Sequence, residues 1–292
     1  MLAEKEQIIK KSGILEMVPV QEKLDDIGGL AKLKSWLQQK STVLANLPEA
    51  RAFGVDAPKG IMIVGMPGCG KSLTAKAAAK LFGLPLLRLD VGSLMGKYVG
   101  ESEGNMRRAL KQADAVSPCV LWIDELEKAF VGINSSSGNA GSEVASRLFG
   151  YFLTWMQEKT SPVFVLATAN DISALPPELL RKGRFDEIFY VDFPNETERV
   201  AIFDVHLERR KKTSNKIDRK ILAAKTDGFS GADIESVVKE AIEKSFVDGK
   251  AQLNTDRLLE VIKETQPLSV VMKDKVKEYK DKFNQTKIKP AS

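Results

Sequence analysis

The sequence predicts an α/β protein: a parallel sheet sandwiched by helices and followed by a small all-α unit. Three observations support this fold class. A glycine-rich loop joins the apolar run 61–64 directly to a helical stretch. Five apolar runs alternate with helical patterns as far as Pro194, and only helical patterns follow. We therefore expect a lead-in over residues 1–24, an α/β domain over 25–194, a small helical domain over 195–265 and a basic amphipathic tail over 266–292.

The composition is that of an ordinary globular protein. The chain has 292 residues, of which 43% are hydrophobic and 28% charged, and this length allows about two domains. The sequence contains no run of about 18 apolar residues, so no membrane span is expected. Acidic residues near the N-terminus are atypical of a signal peptide. The chain has two cysteines, too few for a disulfide framework. This low number is typical of proteins in a reducing intracellular compartment.

The positive charge is concentrated at one end of the chain. The net charge is +5, and residues 263–292 contain eight lysines against four acidic residues. The rest of the chain is therefore nearly neutral and lacks the basic character typical of nucleic-acid-binding proteins. The composition argues against a nucleic-acid partner.

The elements of the α/β part follow from apolar periodicity. Asp25 and Asp26 are candidate caps for a helix over residues 31–44, whose apolar residues follow a helical stripe. Apolar runs bounded by turn residues predict the strands, and helical spacing predicts the helices between them. The predicted strands are 61–64, 84–91, 119–123, 163–169 and 188–193, and the further helices are 73–80, 101–116 and 143–158.

After residue 194 the sequence predicts helices at 196–210, 218–224, 231–247 and 256–264. Asn195, Asp218 and either Asn254 or Thr255 are candidate caps. Apolar residues between Leu268 and Phe283 then fall at helical spacing with lysines between them. This pattern predicts an amphipathic helix docked on the body, and a membrane-surface helix is the alternative.

Residues Gly65–Ser72 have the spacing of a phosphate-binding P-loop. Glycines allow the backbone to curl so that successive N–H groups point at a phosphate, and the following helix adds partial positive charge. We expect Lys71 to reach the β- and γ-phosphates and the Ser72 hydroxyl to complete a Mg²⁺ shell. The alternative is a glycine turn before an ordinary helix.

Polar residues at the ends of other predicted strands complete this chemistry. Asp124 is the candidate acid for holding Mg²⁺, and Glu125 is the candidate that orients and deprotonates an attacking water. The Asn170 amide is a candidate for holding that water. Arg181 and Arg184 are candidate arginine fingers, because an always-charged planar group suits the charge that develops on a γ-phosphoryl group. Ordinary surface charge is the alternative for both arginines.

Together these motifs resemble those of the AAA ATPases over about residues 24–264. Gly65–Ser72 is similar to the Walker A motif, Leu121–Glu125 to Walker B and Ala169–Asn170 to sensor 1. Glu178–Asp186 resembles the second region of homology, whose arginines act on the nucleotide of the neighbouring subunit. The resemblance implies a Mg²⁺-dependent ATPase with Ser72 and Asp124 at the metal and a catalytic set of Lys71, Glu125, Asn170, Arg181 and Arg184.

Other segments resemble the family's nucleotide contacts. Asp26–Leu30 looks like the segment whose backbone touches adenine, and Gly228–Asp233 resembles the lid motif of the clade with alanine at sensor 2. His206 falls where the family has a lid histidine near the ribose and adenine, with plain packing as the alternative. The resemblance implies that ATP is bound by Asp26, Ile27, Gly28, Gly65, Met66, Pro67, Gly68, Cys69, Gly70, Lys71, Ser72, Leu73, His206, Gly231 and Ala232.

Lys97, Tyr98 and Val99 resemble the pore loop of the family's protein-remodelling members. In those proteins an aromatic and an aliphatic side chain from each subunit of a ring grip a polypeptide, which burial allows without reading its sequence. The alternative is that Tyr98 packs on the lid or the sheet. Cys69 stands where threonine is more usual; we expect a passive small residue there, and the alternative is an oxidisable thiol whose pKa the adjacent helix N-terminus lowers.

The resemblance implies a homo-oligomeric ring, with a hexamer as the expected form, that remodels a protein substrate or works with an adaptor. Within the family, the sequence most resembles a branch from cyanobacteria and red-algal plastids. This narrower resemblance implies that the protein is located in the bacterial cytoplasm or the plastid stroma. A regulatory nucleotide switch without threading is the alternative, favoured by the bland loop 132–142 and the short segment before residue 25. A nucleic-acid loader is a third candidate, against which the nearly neutral body argues.

Overall fold

The computed structural model of the protein describes residue 9 and residues 13–94, 101–130, 140–181, 183–249, 251–286 and 288–292. In this part of the chain, seven strands form one sheet in the order β1-β3-β4-β5-β2-β6-β7. All neighbouring strands are parallel except β1 and β3. The strands are β1 (Leu15–Val18), β2 (Gly60–Gly65), β3 (Leu86–Leu89), β4 (Cys119–Ile123), β5 (Val163–Ala169), β6 (Glu187–Val191) and β7 (Lys289–Pro290).

Helices cover both faces of this sheet and continue beyond it as a helical lid region. Those that precede β6 are α1 (Ala31–Ala45), α2 (Leu47–Ala52), α3 (Lys71–Phe82), α4 (Val91–Leu94), α5 (Glu101–Val116) and α6 (Ala140–Glu158). Those that follow are α7 (Glu196–Arg209), α8 (Arg219–Ala224), α9 (Gly231–Val247), α10 (Thr255–Glu264), α11 (Leu268–Val271) and α12 (Lys273–Gln285). The α/β class predicted from the sequence is confirmed.

The sheet separates two hydrophobic clusters, because successive residues of a strand point to opposite faces. Met62 and Val64 of β2 belong to the cluster that includes α5 and α6, whereas Ile61 and Ile63 belong to the cluster that includes α1 and α3. Strands β4 and β5 are buried along their whole length, as expected of parallel strands covered on both faces. A third cluster joins α7, α8, α9 and α10.

The strand order gathers the predicted polar residues at one edge. Strand β2 lies between β5 and β6, and β4 lies next to β5. The chain leaves β2 into the glycine loop, β4 into Asp124 and β5 into Asn170. Because ligands of open α/β sheets bind outside the carboxyl ends of the strands, this edge is the expected site.

Two of the seven strands, β1 and β7, are not among the five that the sequence predicts. Both lie at an edge of the sheet, where β1 pairs with β3 and β7 with β6. With four and two residues, they are too short to carry a recognisable alternation. Pro290 has no N–H to donate, which an edge strand tolerates. Strand β1 lies inside the segment expected to be a lead-in.

The expected caps of the first helix are wrong. Leu30 is the N-cap residue of α1, at a φ of 55°, and its own side chain makes no capping hydrogen bond. The Asp26 carboxylate instead accepts a hydrogen bond from Lys23 N at 2.7 Å, at the start of the 3₁₀ turn Leu24–Asp26. The caps predicted for later helices are present, because Asn195, Asp218 and Asn254 each accept first-turn N–H groups.

The amphipathic helix predicted over residues 268–283 is two helices, α11 and α12, with Met272 between them. Val271, part of the predicted apolar stripe, is 65% exposed. Further along, Phe283 stacks on Tyr190 of β6 with ring centroids 3.8 Å apart. The side chain of Lys280 also pairs with Asp192 at 3.4 Å, so α12 packs along the β6 side of the sheet.

Candidate nucleotide-binding site

A cavity of about 420 Å³ lies at the carboxyl edge of the sheet, against helices α7 and α9. One end is lined by the glycine loop together with the residues that follow β4 and β5. The other end is lined by the segment Asp26–Leu30 and by one side of α7. We call these the phosphate end and the base end. The volume falls within the range of small-molecule sites.

The glycine loop is held from outside the sheet by the start of α9. The backbone N–H of Ala232 donates to Gly68 O at 3.0 Å. Gly68 has a φ of 73°, and a Cβ at this position would lie 2.8 Å from the Ser230 hydroxyl. Only glycine tolerates both the left-handed conformation and this close approach. The loop and the lid motif that contains Gly231 are therefore in direct contact.

Lys71 lies beneath the loop and is only 7% exposed. Its Nζ donates to the carbonyl oxygens of Gly65 and Met66, both at 2.8 Å. Burial lowers the Lys71 pKa to about 8, although the negative charges of the nearby acidic side chains act to raise it. Gly65 and Met66, at the start of the loop, are buried. The other residues of this segment line the cavity: Pro67, Gly68, Cys69, Gly70, Lys71, Ser72 and Leu73.

The candidate metal residues touch each other. The Ser72 hydroxyl donates to Asp124 Oδ1 at 3.2 Å, so a hydroxyl and a carboxylate face the same point. No group of three or more His, Cys, Asp or Glu side chains among the described residues could cage a metal ion. This donor set fits Mg²⁺, which keeps several waters and binds one or two protein oxygens together with substrate phosphates.

Glu125 and Asn170 form the next part of the phosphate end. Asn170 Nδ2 donates to Glu125 Oε1 at 3.3 Å, and Lys128 Nζ pairs with the other carboxylate oxygen. Glu125 has a φ of 51°, a conformation that is uncommon for residues other than glycine. The structure therefore brings together the two residues that the sequence assigned to the attacking water.

Two further residues of this end escaped the sequence analysis. The Thr168 hydroxyl donates to Asp124 Oδ1 at 2.5 Å and accepts from Glu125 N at 3.1 Å. The Glu127 carboxylate accepts from Asn170 N at 3.0 Å, and burial raises its pKa. Thr168 is a polar residue near the end of an apolar strand, and this is the signal that could have identified it.

At the base end, Ile27 and Gly28 line the cavity. A Cβ at Gly28 would lie 2.4 Å from the Ile202 side chain, so glycine lets this segment pack against α7. Asp26 pairs with Arg209 of α7 at 3.7 Å. His206 also lines the cavity; its buried Nδ1 has no hydrogen-bond partner among the described residues, and burial lowers its pKa to about 4.

The structure contradicts the reactive alternative for Cys69. Burial raises the pKa of its thiol to about 12, although Lys71 nearby has the opposite influence. The thiol is therefore protonated at neutral pH. Cys69 is thus the passive small residue that the sequence favoured.

The candidate arginine fingers do not line the cavity of their own chain. Arg184 Nη1 donates to Leu153 O at 2.9 Å and to Gln157 Oε1 at 2.5 Å, whereas Arg181 is exposed.

The pore-loop candidates Lys97, Tyr98 and Val99 lie outside the described residues. Within the part of the chain that the structure describes, no helix is both long and apolar enough to cross a membrane.

Comparison with known proteins gives the class to which this fold and site belong. Residues 61–193 match the ATPase family associated with various cellular activities (AAA), and residues 216–260 match the AAA+ lid domain. The chain belongs to the AAA ATPase family.

Its relatives include proteins named uncharacterized AAA domain-containing protein ycf46. The one from Guillardia theta is 45% identical over 290 residues, which cover 99% of this chain and 56% of that protein. The one from Pyropia yezoensis is 45% identical over 276 residues, covering 94% and 55%. The cell division cycle protein 48 homolog of Archaeoglobus fulgidus is 36% identical over 222 residues, covering 75% and 30%. The narrower resemblance is thereby confirmed, and the chain spans little more than half the length of the first two relatives.

Proposed function

We propose that the protein hydrolyses ATP to ADP and phosphate, with Mg²⁺, at the phosphate end of the cavity. One observation carries the proposal: Ser72, Asp124, Thr168, Glu125 and Asn170 form a single hydrogen-bonded set beside the glycine loop. The set combines the groups needed to hold a metal ion with those needed to activate a water.

Each residue has a distinct part in this reaction. Lys71 and the loop N–H groups bind phosphate oxygens, which replace the two carbonyls that Lys71 now contacts. Ser72 and Asp124 hold Mg²⁺, which neutralises charge on the phosphates when it is bound. Glu125 accepts the proton of the attacking water while the Asn170 amide orients the same water. The Ile27–Gly28 backbone and His206 hold the adenosine.

Replacing Glu125 with glutamine tests this proposal. The amide keeps the shape and the Asn170 contact but is not a base, so we expect turnover to fall at least about 100-fold. ADP affinity, measured by calorimetry, should stay within about twofold, since Glu125 is not expected to hold ADP. Glu49→Gln, on the exposed side of α2, is the matched control. Turnover at the parent rate in Glu125→Gln would remove the proposed base.

The proposal includes a ring of copies, of which six is the number that the family resemblance implies. Arg181 and Arg184 lie outside the cavity of their own chain, which supports a role at the cavity of a neighbour. We further propose that the ring remodels a protein substrate through the Tyr98 loop. The relatives' names specify neither a substrate nor an adaptor.

A regulatory nucleotide switch is the second candidate function. The observation that favours it is the bond between Ala232 N of the lid motif and Gly68 O of the loop, because a nucleotide in the loop would act directly on α9. Tyr98→Ala separates the two functions. Remodelling predicts unchanged basal ATPase and loss of unfolding of a tagged substrate protein. A switch predicts that partner binding remains nucleotide-dependent in this variant.

A further inference from the structure

The start of helix α1 is capped from distant parts of the chain. Leu30, its N-cap residue, has no side-chain oxygen with which to bind the first N–H groups. The Glu198 carboxylate of α7 accepts Leu30 N at 3.0 Å through Oε1. The carbonyl of Ala291 accepts Leu33 N at 3.1 Å. The N-terminus of α1 therefore depends on α7 and on the segment that follows β7.

These two supports are joined to each other. The Ser292 hydroxyl donates to the same Glu198 Oε1 at 2.5 Å. Ala291 is 1% exposed, and its N–H donates to Tyr190 O of β6 at 2.8 Å. Glu198 Oε2 accepts Asn195 N at 3.0 Å, so both carboxylate oxygens are in use. We call the unit of Glu198, Ala291 and Ser292 the clasp.

The clasp acts on the segment that lines the base end. A Cβ on Gly29 would lie 2.3 Å from Glu198 Oε1, so the carboxylate lies directly against the backbone of this segment. One turn into α1, the Lys34 ammonium donates to Ile27 O. The position of α1 therefore fixes the direction of the Ile27 peptide, and Ile27, Gly28 and Glu198 all line the cavity.

We propose that Glu198 is a positioning residue for nucleotide binding, which with Ala291 and Ser292 holds the Asp26–Leu30 backbone in the orientation that binds the base. Glu198 acts through this backbone and has no part in the hydrolytic step. The inference rests on the proposed function, because it takes the base of the nucleotide as the occupant of this end. It adds the residues after β7 to the determinants of affinity.

The energetics separate the clasp from the phosphate end. Removing the carboxylate leaves the N–H groups of Leu30 and Asn195 without their acceptor, and hydrogen bonds to charged groups are among the stronger ones. The loss should appear as weaker nucleotide binding. Thr168, Glu125 and Lys71 make no contact with the clasp in the described bonds, so the rate at saturating ATP should not change.

The test uses the full chain with Glu198→Ala, Glu198→Gln and the control Glu196→Ala, whose exposed side chain lies in the same turn of α7. For Glu198→Ala we expect ADP affinity about tenfold weaker by calorimetry, and a KM for ATP raised by a similar factor with kcat unchanged. Glu198→Gln keeps an acceptor for Leu30 N and should recover most of the affinity. Glu196→Ala should match the parent.

Ser292→Ala is the second test variant, and it should fold even if Glu198→Ala folds poorly, because Ser292 is exposed. We expect ADP affinity to fall about threefold, and the double variant to be no weaker than Glu198→Ala alone, since both changes break one unit. ADP affinity at the parent value in Glu198→Ala would overturn the inference, as would kcat falling in parallel with affinity. A parent protein that binds no ADP would instead contradict the proposed function.

Discussion

The phosphate end and the base end of the cavity differ in how the chain builds them. At the phosphate end, the polar residues lie in or just after β4 and β5, or at the start of α3 after the glycine loop that follows β2, and the strand order brings these segments together. At the base end, contacts come from the segment before α1, from α7, from the start of α9 and from residues 291–292. A chemical centre can thus be encoded in short motifs, whereas the affinity for the rest of a ligand depends on segments far apart in sequence.

The difference between the two ends predicts a larger effect on turnover at Thr168 than at any residue of the base end. Replacing it with valine keeps the shape but removes the hydroxyl that joins Asp124 to Glu125 N. We expect turnover to fall about tenfold, because both acids lose their fixed position, while ADP affinity stays within about twofold. Steady-state kinetics and calorimetry measure the two quantities.

Thr226→Val is the matched control for this change. Thr226 is also fully buried and its hydroxyl is also hydrogen-bonded, but it lies between α8 and α9, away from the cavity. Both variants should lose about 1 kcal/mol of unfolding free energy, and only Thr168→Val should lose turnover. Equal turnover in the two variants would mean that the phosphate end does not depend on this hydroxyl.

The sequence predicted the phosphate end more completely than the base end for physical reasons. Lys71, Ser72, Asp124, Glu125 and Asn170 follow apolar strands, and parallel strands place their carboxyl ends together. Thr168 escaped because its neighbours make it look like part of an ordinary buried strand. Glu198 escaped because a carboxylate in the first turn of a helix is expected as a capping group, and nothing local shows that Leu30 and Ser292 reach it.

The same reasoning explains the differences in the fold. The central strands and most helices carry strong periodicity, so the α/β class follows from the sequence. Strands β1 and β7 form only because β3 and β6 offer unpaired edges, which no local pattern records. The cap of α1 is a left-handed Leu30 supported by distant groups, where the sequence offered Asp25 and Asp26.

A smaller effect is expected at the base end, from His206. Its pKa of about 4 in the folded protein is below the ordinary value of 6.5, so protonation favours the unfolded chain. The contribution of His206 to the unfolding free energy should therefore be fully present above pH 6.5 and be lost as the pH drops from 6.5 to about 4. Because the side chain is partly exposed, we expect a loss of about 1 kcal/mol.

Replacing His206 with glutamine should remove this part of the pH dependence. Urea unfolding at several pH values, for the parent and the variant, measures it. The acidic and basic neighbours of His206, Glu235, Arg210 and Arg209, are unchanged in the variant and provide the common background. An identical slope between pH 4 and 6.5 in both proteins would mean that His206 is not buried in its neutral form.

The two ends of the cavity also differ in the positively charged side chains that line them. Among the described residues that line the cavity, the side chains with a full positive charge are Lys71 and Arg209, and Arg209 lies at the base end with Asp26. In the proposed reaction, the arginine that stabilises the charge of the transferred phosphoryl group comes from another chain. Arg184 of a second copy is the proposed source.

The most direct test is the ATPase rate per subunit against protein concentration, for the parent, Arg184→Ala and Gln157→Ala. Gln157→Ala is the control, because it removes the Arg184–Gln157 bond but keeps the guanidinium. We expect the rate per subunit to rise with concentration in the parent and in Gln157→Ala, and to fall at least about 100-fold in Arg184→Ala. A rate that is independent of concentration and equal in all three proteins would contradict a hydrolytic site completed by a second copy.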